Sequence, residues 1–202
     1  MTASVFRLAV VPGVVIDRWA RTWSDRRPDT RLELIPVAAA DAAAQLPDHA
    51  DAALLRPPVD RDRLHAIPLY TEQSVVLAPR EHVLNAADEV TVAELLELGE
   101  PLLHPLDDVL DWEPKEAQRP ETTEEAVEWV AASAGLLVVP QSLARLYHRR
   151  DVKYRPVTDA PTSSVALSWP VDAHTDLVEE MIGIVRGRTA NSTRGRPTGR
   201  AR

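Results

Sequence analysis

The chain has 202 residues, 45% of them hydrophobic and 27% charged, enough to bury a core as one domain or as two small lobes. It contains no Cys, which excludes disulfides, thiolate metal sites and a cysteine nucleophile. The net charge of −8 understates the acidity of the body, because six Arg and no acid fall from Arg186 onward. That body repels DNA and other polyanions, and the tail is the obvious cationic stretch.

Met1 to Val10 lacks a basic start followed by a long apolar run, and no window reaches the roughly eighteen apolar residues of a membrane span. A cytoplasmic address is expected. Phe6 to Val11 reads as a buried strand, and Pro12-Gly13 makes a turn. Ile16, Trp19, Ala20 and Trp23 then recur at helical spacing until Pro28, whose preceding residue avoids the α region. Arg31 to Val37 alternates as a strand does, an Ala-rich helix is predicted around Asp41 to Leu46, and Ala52 to Leu55 is a further strand. This β-α-β-α-β order predicts a parallel sheet covered by helices.

Ile67 to Tyr70 and Ser74 to Ala78 read as the next strands. Thr91 with Glu94 forms a capping box ahead of Leu95, Leu96 and Leu98, and Thr122 with Glu125 repeats it ahead of a helix that stops at Gly135. Pro101 to Leu103 and Leu136 to Val139 are apolar strands, and a short helix spans Gln141 to Tyr147. The acidic, Pro-containing stretch from Leu106 to Pro120 has no assignment. Val165 to Trp169 is a late strand, and Thr175 caps a last helix carrying Leu177, Val178, Met181, Ile182 and Val185 on one face. Beyond Gly187 the composition cannot support a core, so residues 187–202 are expected to be a disordered Arg-rich tail.

Four segments, in this order, resemble the effector-binding domain of LysR-type transcription regulators. They are FRLAVVPGVV at the start, ADAALLR (Ala50 to Arg56), PLYTEQSVVLAPREH (Pro68 to His82) and AVEWVAASAGLLVVPQSLA (Ala126 to Ala144). The resemblance implies a type 2 periplasmic-binding-protein fold, α/β, with two Rossmann-like lobes and a hinge. Lobe I would comprise residues 5–73 and 160–186, and lobe II residues 74–159. The chain departs from the family by opening at the effector domain without a helix-turn-helix, and by a shortened stretch from His104 to Glu121 in lobe II.

In such a fold the ligand sits between the lobes, at strand carboxyl ends and helix amino ends, where backbone N–H groups favour an anion. Gly13 and Val14 lie in the first such loop, either as a bare turn or as a backbone cradle. Arg56 ends the third strand, where a guanidinium either grips a carboxylate or pairs with a neighbouring acid. Thr122 and Thr123 open the second-lobe helix as caps or as ligand donors. Thr71, in the crossover, and His104, beside Pro105, complete the candidates. The expected effector is a small organic acid, with a homodimer or a partner regulator carrying the output.

No nucleophile elbow, Walker loop, zinc-helix motif or dinucleotide fingerprint occurs, so no catalytic residue is assigned and no enzyme is expected. The six His are scattered, and Asp107, Asp108, Asp111 and Glu113 read as a solvated acidic face, so no metal or cofactor is expected. The alternatives are an enzyme of dehydratase or deaminase type on the same fold, and DNA attachment through the tail. Arg194-Gly195-Arg196-Pro197 resembles the core of an AT-hook, which lays Arg-Gly-Arg in an A·T-rich minor groove. Of the tryptophans, Trp19, Trp23 and Trp129 are expected in packing, and Trp169 in the core or at the cleft.

Overall fold

The computed structural model describes residues 4–110, 112, 114–115 and 117–188. β1 (Ser4–Val10) runs parallel to β2 (Thr30–Pro36) on one side and to β3 (Ala52–Leu55) on the other. The helix between the first two, α1 (Asp17–Arg26), buries Trp23 completely. Its ring stacks on Phe6 at 4.7 Å, and its indole N–H donates to the Thr30 carbonyl at 2.9 Å. A buried polar tip is thereby satisfied.

The Ala-rich segment does not form the expected α-helix; Ala39–Asp41 and Ala43–Gln45 are two isolated 3₁₀ turns. Six residues running into Pro47 are too few to offset the cost of nucleating a helix. β4 (Leu64–Glu72) and β9 (Ser163–Pro170) complete a five-stranded sheet in the order β2-β1-β3-β9-β4. β9 enters antiparallel between β3 and β4, so the chain comes back to its first sheet near its end. α5 (Asp176–Val185), capped by the Thr175 hydroxyl, packs with α1 over a core built on Phe6, Trp23, Leu54, Leu167 and Met181. Trp169 belongs to this core and not to the cleft.

The second sheet has the order β6-β7-β5-β8, from β5 (Ser74–Pro79), β6 (Leu102–Leu103), β7 (Leu136–Pro140) and β8 (Val152–Pro156). β8 has no counterpart in the sequence reading. Only Val152 of its five residues is buried, and the two basic residues of VKYRP mask the strand pattern. Three helices accompany the sheet: α2 (Val92–Glu97), α3 (Thr123–Ala131) and α4 (Gln141–Leu146). At α2 both arms of the capping box form, the Thr91 hydroxyl accepting from Glu94 N and the Glu94 carboxylate from Thr91 N. At α3 only half forms, because the Glu125 carboxylate accepts from Glu121 N instead. Gly135 ends this unit where a Cβ would stand 2.6 Å from the Pro101 carbonyl, a position no other residue fits.

The chain crosses between the sheets twice, outward from β4 to β5 through Gln73 and homeward from β8 to β9. Val157 N donates to Ser74 O at 3.0 Å, tying the second crossing to the first, and Gln141 N donates to Gln73 O at 3.1 Å, tying the first crossing to α4.

Candidate functional site

The β1–α1 loop puts Gly13 at the line where the two lobes meet. Its φ of +85° lies in the left-handed region, and a Cβ there would stand 2.5 Å from Ser142 Oγ at the start of α4. Glycine is needed twice over, for the turn and for the approach of the opposite lobe.

Beside this contact lies a buried polar network that joins both lobes to both crossings. Arg56, just past β3, is 5% exposed at its side chain, and Glu72, the last residue of β4, is 11% exposed. Arg56 Nη1 donates to Glu72 Oε2 and to Ser163 Oγ, each at 2.9 Å. Its Nη2 reaches Ser142 Oγ at 3.2 Å and the Pro12 carbonyl at 3.5 Å. Ser142 Oγ in turn donates to Glu72 Oε2 at 2.8 Å. The Arg56 charge is thus committed to Glu72, and its Nε stays buried without a partner among the described residues.

A cavity opens on each side of this latch. The first, of about 610 Å³, lies between the amino end of α1, the end of β4 and α4. Trp19, Tyr70, Val14 and Leu146 form its walls, and Arg18 from one lobe and Arg145 from the other stand at it. Neither guanidinium has a hydrogen-bond or ion-pair partner among the described residues. Burial and the nearby Glu72 carboxylate hold the Tyr70 phenol above its ordinary pKa, so it stays protonated and able to donate.

The second cavity, of about 760 Å³, lies between the loops after β1 and β2 and the ends of α3 and α4. It is apolar apart from Glu124 and Tyr147, with Pro12 to Val14 and Pro36 to Ala38 facing them. The amino end of α3 does not wait for an anion. Asp107 Oδ1 already accepts from Thr123 N at 2.7 Å and from Thr123 Oγ1 at 2.8 Å, and the Thr122 hydroxyl accepts from Glu125 N at 3.1 Å. An internal carboxylate already takes these donors. Burial, Asp107 and Glu124 together raise the Tyr147 phenol pKa.

Of the sequence candidates, Gly13 and Val14 therefore line both cavities, while Arg56, Thr122 and Thr123 are engaged by the protein itself. Thr71 is exposed and bonds Ser164 Oγ at 2.9 Å. His104 sits 3.0 Å from Asp108 and within 3.3 Å of Arg119. The acidic face is not fully solvated as expected: Asp108 is 7% exposed at its side chain, accepting from Val109 N and Leu110 N, and Asp107 caps α3. Asp111 and Glu113, like Arg194-Gly195-Arg196-Pro197, lie outside the described residues. Among the described residues no group of acids and histidines is placed to hold a metal ion. No described helix is long and apolar enough to cross a membrane.

Sequence reasoning missed Ser142, Glu72, Arg18 and Arg145. Ser142 and Glu72 sat inside segments already matched to the family, in PQSLA and PLYTE, but nothing local marks them as partners.

Two α/β lobes, linked by two crossings, with a buried polar network and two mainly apolar cavities between them, define a ligand-binding domain of the periplasmic-binding-protein type. The chain belongs to the LysR substrate binding domain family, whose model matches residues 2–190. Among solved structures it is similar to the BenM effector binding domain with its effector benzoate, at 18% identity and a TM-score of 0.77, covering 93% of this chain and 92% of that one. It is also similar to full-length BenM carrying E226K, at 18% identity and a TM-score of 0.77, covering 94% and 70%. The OxyR regulatory domain of Pseudomonas aeruginosa is similar at 18% identity and a TM-score of 0.72, covering 91% and 97%. A search of curated proteins finds no match. At these identities the likenesses speak for the fold.

Proposed function

We propose that this domain senses a small organic anion with an apolar or aromatic body, and that closure of its lobes on that ligand is the regulatory signal. The observation that carries the reading is the unpaired Arg18 and Arg145, one on each lobe, at a cavity walled by Trp19 and Tyr70. A carboxylate held between two guanidiniums gains most when both lobes are closed, so the ligand favours that state over the open one. The rings take up the apolar body, and the protonated Tyr70 phenol offers a further donor. The latch of Arg56, Glu72, Ser142 and Ser163 supplies the bistable element at the hinge.

In this reading residues 5–73 and 160–186 form one lobe and residues 74–159 the other. The domain works in the cytoplasm without catalysing a reaction, and its output passes to a second copy or to a partner regulator. Benzoate, the effector named for the BenM domain, is a natural first probe.

The test is a thermal-shift and calorimetric panel of aromatic and aliphatic carboxylates, each against its uncharged amide. A ligand at a hundred times its Kd stabilises by about 2.7 kcal/mol, a shift of a few degrees. Carboxylates should stabilise, amides should not, and Arg18→Ala with Arg145→Ala should abolish the difference. Amides that match their acids, or a panel without a single stabilising carboxylate, would sink the anion reading.

A further inference from the structure

A third cavity, of about 420 Å³, shares no residue with the other two. It lies at the outer edge of the first sheet, where the amino half of β4 meets the carboxyl half of α5. Three arginines line it, Arg61, Arg186 and Arg188, against a single acid, Glu179. Glu179 is spent on Arg188 at 2.9 Å and on His174 at 3.1 Å. Arg61 and Arg186 have no side-chain partner among the described residues. On a chain of net charge −8, this cavity is locally cationic.

A buried, unmatched donor lies beside the same place. Trp169 lines this cavity and is 5% exposed, yet its indole N–H is buried with no acceptor among the described residues. Trp23, whose indole is fully buried, finds a carbonyl. A buried donor left without an acceptor is unfavourable. The Trp169 ring is flanked by His65 at 5.4 Å and His174 at 6.0 Å between centroids.

We infer that this cavity binds a phosphate group, free or as a monoester. A lone carboxylate has too few acceptors and too little charge for this many donors. Two free guanidiniums and a third shared with Glu179 suit a compact oxyanion carrying more than one charge and several acceptor oxygens. The site sits within one lobe, so it needs no closure of the cleft and stands apart from the effector reading.

The experiment is a titration of the ¹⁵N-labelled full chain with inorganic phosphate, against chloride at equal ionic strength, following the assigned Trp169 indole cross-peak. Phosphate should shift that peak saturably, and Arg61→Ala with Arg186→Ala should weaken binding at least tenfold. Both arginines are exposed, so the fold survives the change. Calorimetry with phenyl phosphate distinguishes the source: tighter binding than inorganic phosphate marks a ring-bearing monoester, and equal binding a free anion. A shift that never saturates, one that chloride reproduces, or one unchanged in the double variant would overturn the assignment.

Discussion

At the scale of single residues, Gly13 carries two constraints that separate experimentally. Gly13→Ala forces a side chain into a φ of +85° and onto Ser142, and should cost about 1–3 kcal/mol in urea unfolding. Adding Ser142→Ala should recover part of that loss, since it removes the Oγ contact but not the backbone strain. Arg56 and Glu72 form a buried pair, for which removing one partner is far worse than removing both. Arg56→Met should destabilise by about 3 kcal/mol, and Arg56→Met with Glu72→Gln by clearly less than the two single changes summed. Asp108 adds a pH signature. Burial holds its carboxyl above the ordinary range, despite the Val109 and Leu110 N–H groups and the neighbouring His104. The folded state then binds more protons than the unfolded one just above pH 4, so stability falls as pH rises through that window. Melting curves of Asp108→Asn should lack this fall.

At the scale of elements, α3 is held by a carboxylate from a distant loop as well as by its own cap. Asp107→Ala removes the acceptor of Thr123 N and Thr123 Oγ1, and should cost about 1–2 kcal/mol by denaturant melts. It also opens the helix amino end to anions for the first time. Most helices and strands were legible because their signals are local. The Thr91–Glu94 box is a four-residue motif, and the 3.6-residue spacing of Trp19 and Trp23 needs no knowledge of the rest. β8 escaped because one buried Val in five residues gives no alternation to read. The Ala-rich turns misled because helix propensity without length is not a helix.

At the scale of the whole molecule, the proposed function rests on two lobes changing their relation. The absence of Cys allows dyes to be placed at will, and Asp62→Cys on the first lobe with Val83→Cys on the second uses two exposed positions. An effector should narrow the distribution of energy-transfer distances and move it to one value, and Ser142→Ala should broaden it without ligand, because the hydroxyl links α4 to both Arg56 and Glu72.

The amino-acid sequence alone determined the α/β class, most of the elements and the family. Periodicity, caps and motif order are properties of neighbouring residues. Tertiary structure alone decided what each charge is for. Arg56 meets Glu72 and Asp107 meets Thr123, while Arg18 and Arg145 stand unpaired at one cavity, because a charge finds its partner through space and not along the chain.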